Sequence, residues 1–221
     1  MAPPVATVRG EATLSGPPEL AGLSLTVHRS ADSAAAVRSA LAHASAEVTT
    51  AVDPHRSALE TSTSSAVHVG PVFARQGRRV TGYRGTWSTS LSVADFDALG
   101  PLVLALSALD QVQLDGPWWS LRPQSPLYRG ARLAAIADAR RRADDYAAAF
   151  GAGVVDLLEV SDLDGGSPGP LARTFAMAKG MSGDEPELVL EPAVQTVTGQ
   201  VTVRFALSAA VLDATPPDAL P

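Results

Sequence analysis

The chain has 221 residues, of which 46% are hydrophobic and 18% charged, so it is long enough to fold around a core of its own. Its net charge of −6 and its dispersed arginines argue against a nucleic-acid partner, because that partner requires a concentrated positive face. The absence of cysteine excludes disulfides, thiolate metal sites and cysteine nucleophiles.

The N-terminal residues show neither the basic segment nor the apolar run of a secretion signal, and this predicts a cytoplasmic protein. The longest apolar stretch, residues 99–109, is interrupted by Gly100 and Pro101 and is too short to span a bilayer. We therefore expect no membrane span.

Two strands are predicted first. Residues 5–15 and 20–29 each alternate between apolar and polar side chains, which is typical of a strand with one buried face. Residues 16–18, Gly-Pro-Pro, favour a turn between them. We predict that the two strands form an antiparallel hairpin.

A helix follows, because apolar residues recur every three or four positions. Ser30 or Asp32 would cap its start and Pro54 would end it. The predicted buried positions are Ala34, Val37, Leu41, Ala44 and Val48.

A second hairpin is predicted from two further strands, residues 58–69 and 80–93. The first is rich in serine, threonine and β-branched residues, and the second alternates. Gln76-Gly77 would form the turn.

A second helix over residues 96–109, capped by Asp95, leads to a strand over residues 112–121. This strand carries Trp118 and Trp119, whose side chains must point to opposite faces. Two arrangements stay open: both indoles pack in the core, or one of them contacts a second copy, since tryptophan is enriched at interfaces.

The longest predicted helix covers residues 127–150. Small residues at helical spacing would let it lie close to a sheet, and opposite them Asp138 would pair with Arg142. Arg140 or Arg141 would pair in the same way with Asp144 or Asp145. The predicted buried stripe is Ala131, Ala135, Ala139, Ala143, Tyr146 or Ala147, and Phe150.

Two more strands, residues 154–160 and 200–207, complete the elements. Between them, residues 162–169 and 179–187 are polar and rich in glycine and proline, and we expect mobile loops there.

The elements predict an α+β fold with antiparallel sheets, three helices packed on one face, and two interleaved lobes. We expect a single domain over residues 1–213 and a flexible tail over 214–221. The N-terminal lobe would cover residues 5–78 and the second lobe 79–163. A C-terminal strand, 199–210, would return to the sheet.

No catalytic or metal motif is present. The four histidines, His28, His43, His55 and His68, lack the spacing that places two ligands on one face. A zinc site would need distant carboxylates, and a Ser-His-Asp set would need distant residues to meet. We expect neither, and we expect no cofactor.

Two glycine-rich segments resemble ligand loops only superficially. Residues 162–166 begin like a calcium loop, but the later bidentate glutamate is missing. Gly151 and Gly153 follow a predicted helix and precede a strand, which is the reverse of a dinucleotide loop. They are predicted to end the helix.

The order of motifs along the chain resembles the SIMPL domain family, a domain of unknown function. The opening Val8-Arg-Gly-Glu-Ala12 and the following Pro17-Pro-Glu-Leu-Ala21 match its first strand and turn. The segment Gly82-Tyr-Arg84, the helix ending Phe150-Gly-Ala-Gly-Val154 and the last strand Val201-Thr-Val-Arg-Phe205 match later motifs.

The resemblance covers residues 5–208, although Ala12 and Glu19 stand where the family pattern has glycine and aspartate. It implies kinship with bacterial periplasmic or envelope proteins, some immunogenic and some linked to oxidative stress, and with an animal kinase-binding adaptor. The bacterial members tend to form ring-like homo-oligomers, and the family has no established catalytic residues.

We therefore expect a non-catalytic, stress-related protein that assembles with itself, with another protein as the second candidate partner. Trp118 and Trp119 are the predicted interface residues. The alternative is a small-ligand-binding or hydrolytic enzyme that uses a cleft between the lobes.

Overall fold

The computed structural model describes residues 3–74, 77, 79–162 and 190–210. The described part holds seven strands and three α-helices, which confirms the α+β class. In chain order they are β1 (Val5–Gly16), β2 (Leu20–Ala31), α1 (Ala34–Val52), β3 (Leu59–Phe73), β4 (Val80–Val93), α2 (Leu99–Ser107), β5 (Val112–Ser120), α3 (Pro126–Ala149), β6 (Val154–Ser161) and β7 (Gln195–Leu207).

The chain divides into two compact units that alternate along the sequence, as the predicted interleaving requires. Unit 1 comprises Met1–Pro17, Pro123–Phe175 and Val194–Pro221, and unit 2 comprises Pro18–Arg122 and Ala176–Ala193. Their limits differ from the predicted lobes, because the expected boundary at residues 78 and 79 falls between β3 and β4, which pair in one sheet.

Unit 1 is a three-stranded antiparallel sheet in the order β1-β7-β6, with α3 packed on one face. β1 pairs with β7 without interruption from Val5 opposite Ala206 to Gly16 opposite Gln195. The predicted hairpin of the first two strands is therefore wrong. Alternation predicts a strand but not its partner, and Pro17 and Pro18, which lack N–H donors, carry the chain out of this ladder.

α3 approaches this sheet closely because both surfaces are made of small residues. A Cβ on Gly10 of β1 would lie 2.0 Å from the Ala135 carbonyl oxygen, and one on Gly199 of β7 would lie 2.4 Å from that of Ala131. The predicted alanine stripe is confirmed, since five alanines of α3 are fully buried: Ala131, Ala135, Ala139, Ala143 and Ala147.

Two aromatic residues assigned to that stripe lie elsewhere. Tyr146 and Phe150 are each 55% exposed, because Ala147 occupies the buried position after Ala143 and the helix ends at Ala149. The aromatic rings are thus excluded from the close contact with the sheet.

Unit 2 is a four-stranded antiparallel sheet in the order β3-β4-β2-β5. The predicted hairpin of β3 and β4 is confirmed, although Gln76 of its turn lies outside the described residues. α1 and α2 pack on one face, against alternate residues of β2, which also confirms the predicted spacing of α1. The buried residues of this layer include Leu23, Leu25, Val27, Val37, Leu41, Val48, Leu99, Leu102 and Leu106.

The start of α1 differs from the prediction. Ser33 caps the helix, its Oγ accepting a hydrogen bond from the Ala36 N–H at 3.2 Å, and neither Ser30 nor Asp32 does so. The reason is that β2 continues to Ala31, so the helix begins later than its polar flank suggested. Asp95 caps the turn before α2 as predicted, accepting from the Asp97 N–H.

The remaining sequence predictions fall at the C-terminal end. β7 begins at Gln195, five residues before the predicted strand, since it pairs with the whole of β1. The predicted loops, apart from Asp162, and the predicted tail lie outside the described residues. No helix in the described part of the chain is long and apolar enough to cross a membrane.

Because α3 lies so close to the sheet, a single methyl group added to β1 at the contact should lower the stability of the fold strongly. We expect Gly10→Ala to lower the free energy of unfolding by at least about 2 kcal/mol, because the main chain of α3 must move away. Urea unfolding measures this change. Gly153→Ala is the control, since its Cβ meets no atom within 4 Å; equal losses from both variants would contradict the close packing.

Candidate interaction surfaces

The two adjacent tryptophans of β5 point to opposite faces of the sheet of unit 2. Trp119 packs edge-to-face on Phe96, with ring centroids 5.0 Å apart, and joins the core. Trp118 is 52% exposed and lies beside Gly22 on the face away from α1 and α2. Of the two predicted interface residues, Trp118 is therefore the one whose side chain is largely exposed. Its contact with a second copy stays a prediction.

The histidines do not converge on one another. His28 Nδ1 is 3.2 Å from the Thr86 Oγ1, and His43 Nε2 is 3.4 Å from the Glu47 carboxylate one turn along α1. Within the described ranges, no group of three or more His, Asp or Glu side chains is placed to hold a metal ion. Gly151 follows α3 with a φ of 62° and donates to the Ala148 carbonyl, so it ends the helix as predicted.

A cleft of about 370 Å³ lies within unit 2, between α1 and the strands β3 and β4. Its floor is apolar, with Val48, Val52 and Trp87, and hydroxyl groups of Thr49 and Ser62 line its side. Such a lining can receive an apolar or hydroxyl-bearing group. No motif in the sequence marks this cleft, because its walls come from three separate segments.

The charged groups at the cleft are already paired. Arg56 Nη1 is 3.0 Å from the Asp53 carboxylate, and Glu60 Oε2 is 2.6 Å from Arg122 Nη2.

The four edge strands, β1 and β6 in unit 1 and β3 and β5 in unit 2, differ in what protects them. At β1, side chains of α3 occupy the main chain: Asp138 accepts from the Glu11 N–H at 3.1 Å, and Arg142 donates to the Arg9 carbonyl at 2.6 Å. The predicted pair of Asp138 with Arg142 is therefore wrong; Asp138 pairs with Arg141, while Arg140 pairs with Asp144 as predicted.

The edge of β5 is irregular. Its register against β2 shifts between Gly22 and Ser24, and Pro117 and Asp115 lie within the strand. Proline, charge and a bulge are each means by which natural edges resist pairing with another strand.

The strand β6 exposes apolar side chains. Leu157 lies opposite Phe205 and Val160 opposite Val203, on the α3 face of the sheet, where α3 packs mainly on β1 and β7. Among the eight residues of β6, four large hydrophobic side chains are 46–62% exposed: Val155, Leu157, Leu158 and Val160.

The edge of β3 contains Pro71 and is almost free of charged side chains. No Asp, Glu, Lys or Arg occurs from Thr61 to Phe73, and the outer edge of β3 pairs with no strand of the described chain. Val67 of this strand is 68% exposed. The strand is bulged against β4 at three places, with a regular run from Ala66 to Val72.

Comparison with models of protein families gives a match over most of the chain. The model of the SIMPL family, described as a protein of unknown function (DUF541), matches residues 6–205. No curated protein matches the chain.

The protection of β1 by α3 is measurable. We expect Asp138→Ala to lower the free energy of unfolding by about 1–2 kcal/mol, because it removes an acceptor from a main-chain N–H. Asp144→Ala is the matched control on the same helix, and its exposed pair with Arg140 should contribute about 0.3 kcal/mol. Urea unfolding of both variants measures these changes. If Asp144→Ala lowers the free energy of unfolding as much as Asp138→Ala does, the contact of Asp138 with β1 is contradicted.

The two tryptophans should differ in their contribution to stability, because Trp119 packs in the core and Trp118 is exposed. We expect Trp119→Ala to cost about 2–3 kcal/mol of folding free energy, since it empties part of the core. Trp118→Ala should cost less than about 0.5 kcal/mol. Denaturation followed by circular dichroism at low concentration measures both, and a larger loss for Trp118→Ala would overturn this assignment of faces.

Proposed function

The chain belongs to the SIMPL family, a family of unknown function, and we propose that it is a non-catalytic module that assembles with further copies of itself. The observation that carries this proposal is the exposed apolar surface of β6. Half of that strand consists of large hydrophobic residues that no other described element covers. Several exposed apolar side chains gathered on one strand favour association with another protein.

The free energy gained by burying the exposed side chains of β6 indicates how large the contact must be. Full burial of one valine or leucine is worth about 1.5–3 kcal/mol, so covering four half-exposed side chains yields roughly 3–6 kcal/mol. Association itself costs about 4–15 kcal/mol. β6 alone is therefore insufficient, and the contact must include further surface.

Trp118 is the second element of the proposed assembly surface. Its indole is exposed on a strand face that no helix of the described chain covers, and an indole contributes a large apolar area at small cost in side-chain entropy. A partner protein of another kind could use the same surfaces, and it is the second candidate partner.

The alternative of a small-ligand or hydrolytic site would use the cleft of unit 2. The charged groups at that cleft form the ion pairs Arg56–Asp53 and Glu60–Arg122. A cytoplasmic location and a link to stress tolerance stay predictions of the sequence.

The proposal is tested by the mass of the purified chain. Light scattering after size exclusion at micromolar concentration should give a multiple of the 22.7 kDa chain mass. Leu157→Lys should lower that mass, because it places a charge in the apolar surface of β6. A wild-type chain that elutes as a monomer at these concentrations would sink the proposal.

Leu133→Lys is the matched control for this test. Leu133 is 49% exposed and belongs to the same unit, but it lies on α3 and not on β6. Its variant should keep the wild-type mass. Circular dichroism of both variants verifies that the fold is retained.

A further inference from the structure

A basic two-stranded ribbon projects from the sheet of unit 2, and we propose that it binds the surface of a lipid bilayer that contains anionic phospholipids. The ribbon is the far end of the β3–β4 hairpin, described for residues 71–74, 77 and 79–84. This inference goes beyond the proposed assembly and uses neither β6 nor Trp118. It rests on the position of the ribbon, on its charge and on its exposed apolar side chains.

The ribbon extends past the strand beside it. β2 pairs with β4 only as far as Ala31 opposite Tyr83. β3 and β4 continue to pair with each other up to Phe73 opposite Val80. At about 3.3 Å per residue, the turn at Gly77 stands roughly 15 Å beyond the end of β2. The end of the hairpin can therefore reach a surface before the rest of its sheet does.

The ribbon concentrates positive charge in an acidic protein. No Asp or Glu occurs from residue 61 to residue 94, and Arg79 and Arg84 are both exposed. Neither of these arginines forms an ion pair within the described ranges. In contrast, five other arginines of the described chain pair with carboxylates: Arg56, Arg122, Arg140, Arg141 and Arg204.

The sequence adds two more arginines to this end of the hairpin. Arg75 and Arg78, which lie outside the described residues, bring the count to four within ten residues of a chain whose net charge is −6. Such a local excess of unpaired positive charge favours an anionic partner.

The ribbon is also amphipathic. Phe73 is 54% exposed and Val80, directly opposite, is 43% exposed. Pro71 lies on the same face as Phe73, whereas Arg84, opposite Gly70, lies on the other face. An element with apolar side chains on one face and arginine on the other suits the interface of a bilayer, because apolar burial and attraction to anionic headgroups act together there.

The size of the ribbon favours a bilayer over a nucleic acid. Even a single nucleic-acid-binding module buries about 600–1,000 Å² of protein surface, which would draw more of this acidic protein against a polyanion. A bilayer surface can be reached by the ribbon alone, since its turn stands farther out than the Debye length of about 8 Å at physiological salt. Phe73 and Val80 also gain nothing from contact with phosphates, whereas a bilayer interface buries them.

Flotation with lipid vesicles tests the proposal. The full chain should bind vesicles of equal parts phosphatidylglycerol and phosphatidylcholine at low salt, and it should not bind vesicles of phosphatidylcholine alone. Binding should be lost at about 1 M salt, where the Debye length falls to about 3 Å. A wild-type chain that does not float with the anionic vesicles, or that floats equally with both kinds, overturns the proposal.

The role of the arginines is tested by a matched pair of double variants. Arg79→Gln with Arg84→Gln should weaken binding to the anionic vesicles at least about tenfold, because each arginine near such a surface contributes about fivefold. Arg129→Gln with Arg132→Gln is the control, since it removes the same charge from two exposed arginines of α3. Equal losses from the two double variants would show that binding follows net charge and not the ribbon, and the proposal would be wrong.

The apolar face is tested by a second matched pair. Phe73→Ser should weaken binding about fivefold, because it removes a half-exposed ring that the interface would bury. Phe150→Ser is the control: its ring is 55% exposed, but it lies at the end of α3. Circular dichroism verifies that every variant keeps the fold.

A short DNA duplex distinguishes the other anionic partner. If the duplex binds the chain in a manner that depends on Arg79 and Arg84 but not on Phe73, and it displaces the vesicles, the ribbon is a nucleic-acid contact and the bilayer proposal is contradicted. Vesicle binding that depends on all three residues supports it.

Discussion

The width of a helix relative to the spacing of strands is the constraint on which the rest of this protein depends. A helix is about 10 Å across and strands lie about 4.8 Å apart, so one helix covers about two strands. α3 packs mainly on β1 and β7, and in the described part of the chain it contacts β6 far less. In the second sheet, α1 lies mainly on β2 and β4 and contacts β3 less, while α2 lies on β5. Among the described elements, each unit thus has one strand that its helices cover only in part.

The small residues of unit 1 determine where α3 lies on its sheet. Gly10 and Gly199 let the main chain of α3 lie in direct contact with the sheet at β1 and β7. The same closeness lets Asp138 and Arg142 reach the main chain of β1. One edge of the sheet is therefore protected and the opposite strand is exposed, and a single packing contact produces both results.

The uncovered strands differ in chemistry. β6 presents large apolar side chains, with its Glu159 neutralised by Arg204 at 2.9 Å. β3 presents an uncharged main-chain edge beside a cleft.

The sequence by itself determined the class of fold, the seven strands and three helices, and the buried alanines of α3, because these follow from local periodicity and chain punctuation. It also placed the two tryptophans on opposite faces, which strand geometry requires. Only the tertiary structure decided that β1 pairs with β7 and not with β2, that Ala147 and not Tyr146 is the buried residue of the stripe, that Phe150 lies beyond the helix, and which of the described strands have little cover. The cleft could not be predicted from the sequence either, because it forms only where α1, β3 and β4 come together. The physical reason is the same in each case. Which strand another strand pairs with, and which strands a helix covers, depend on residues far apart in the chain. The alternation within one segment contains no information about those distant residues.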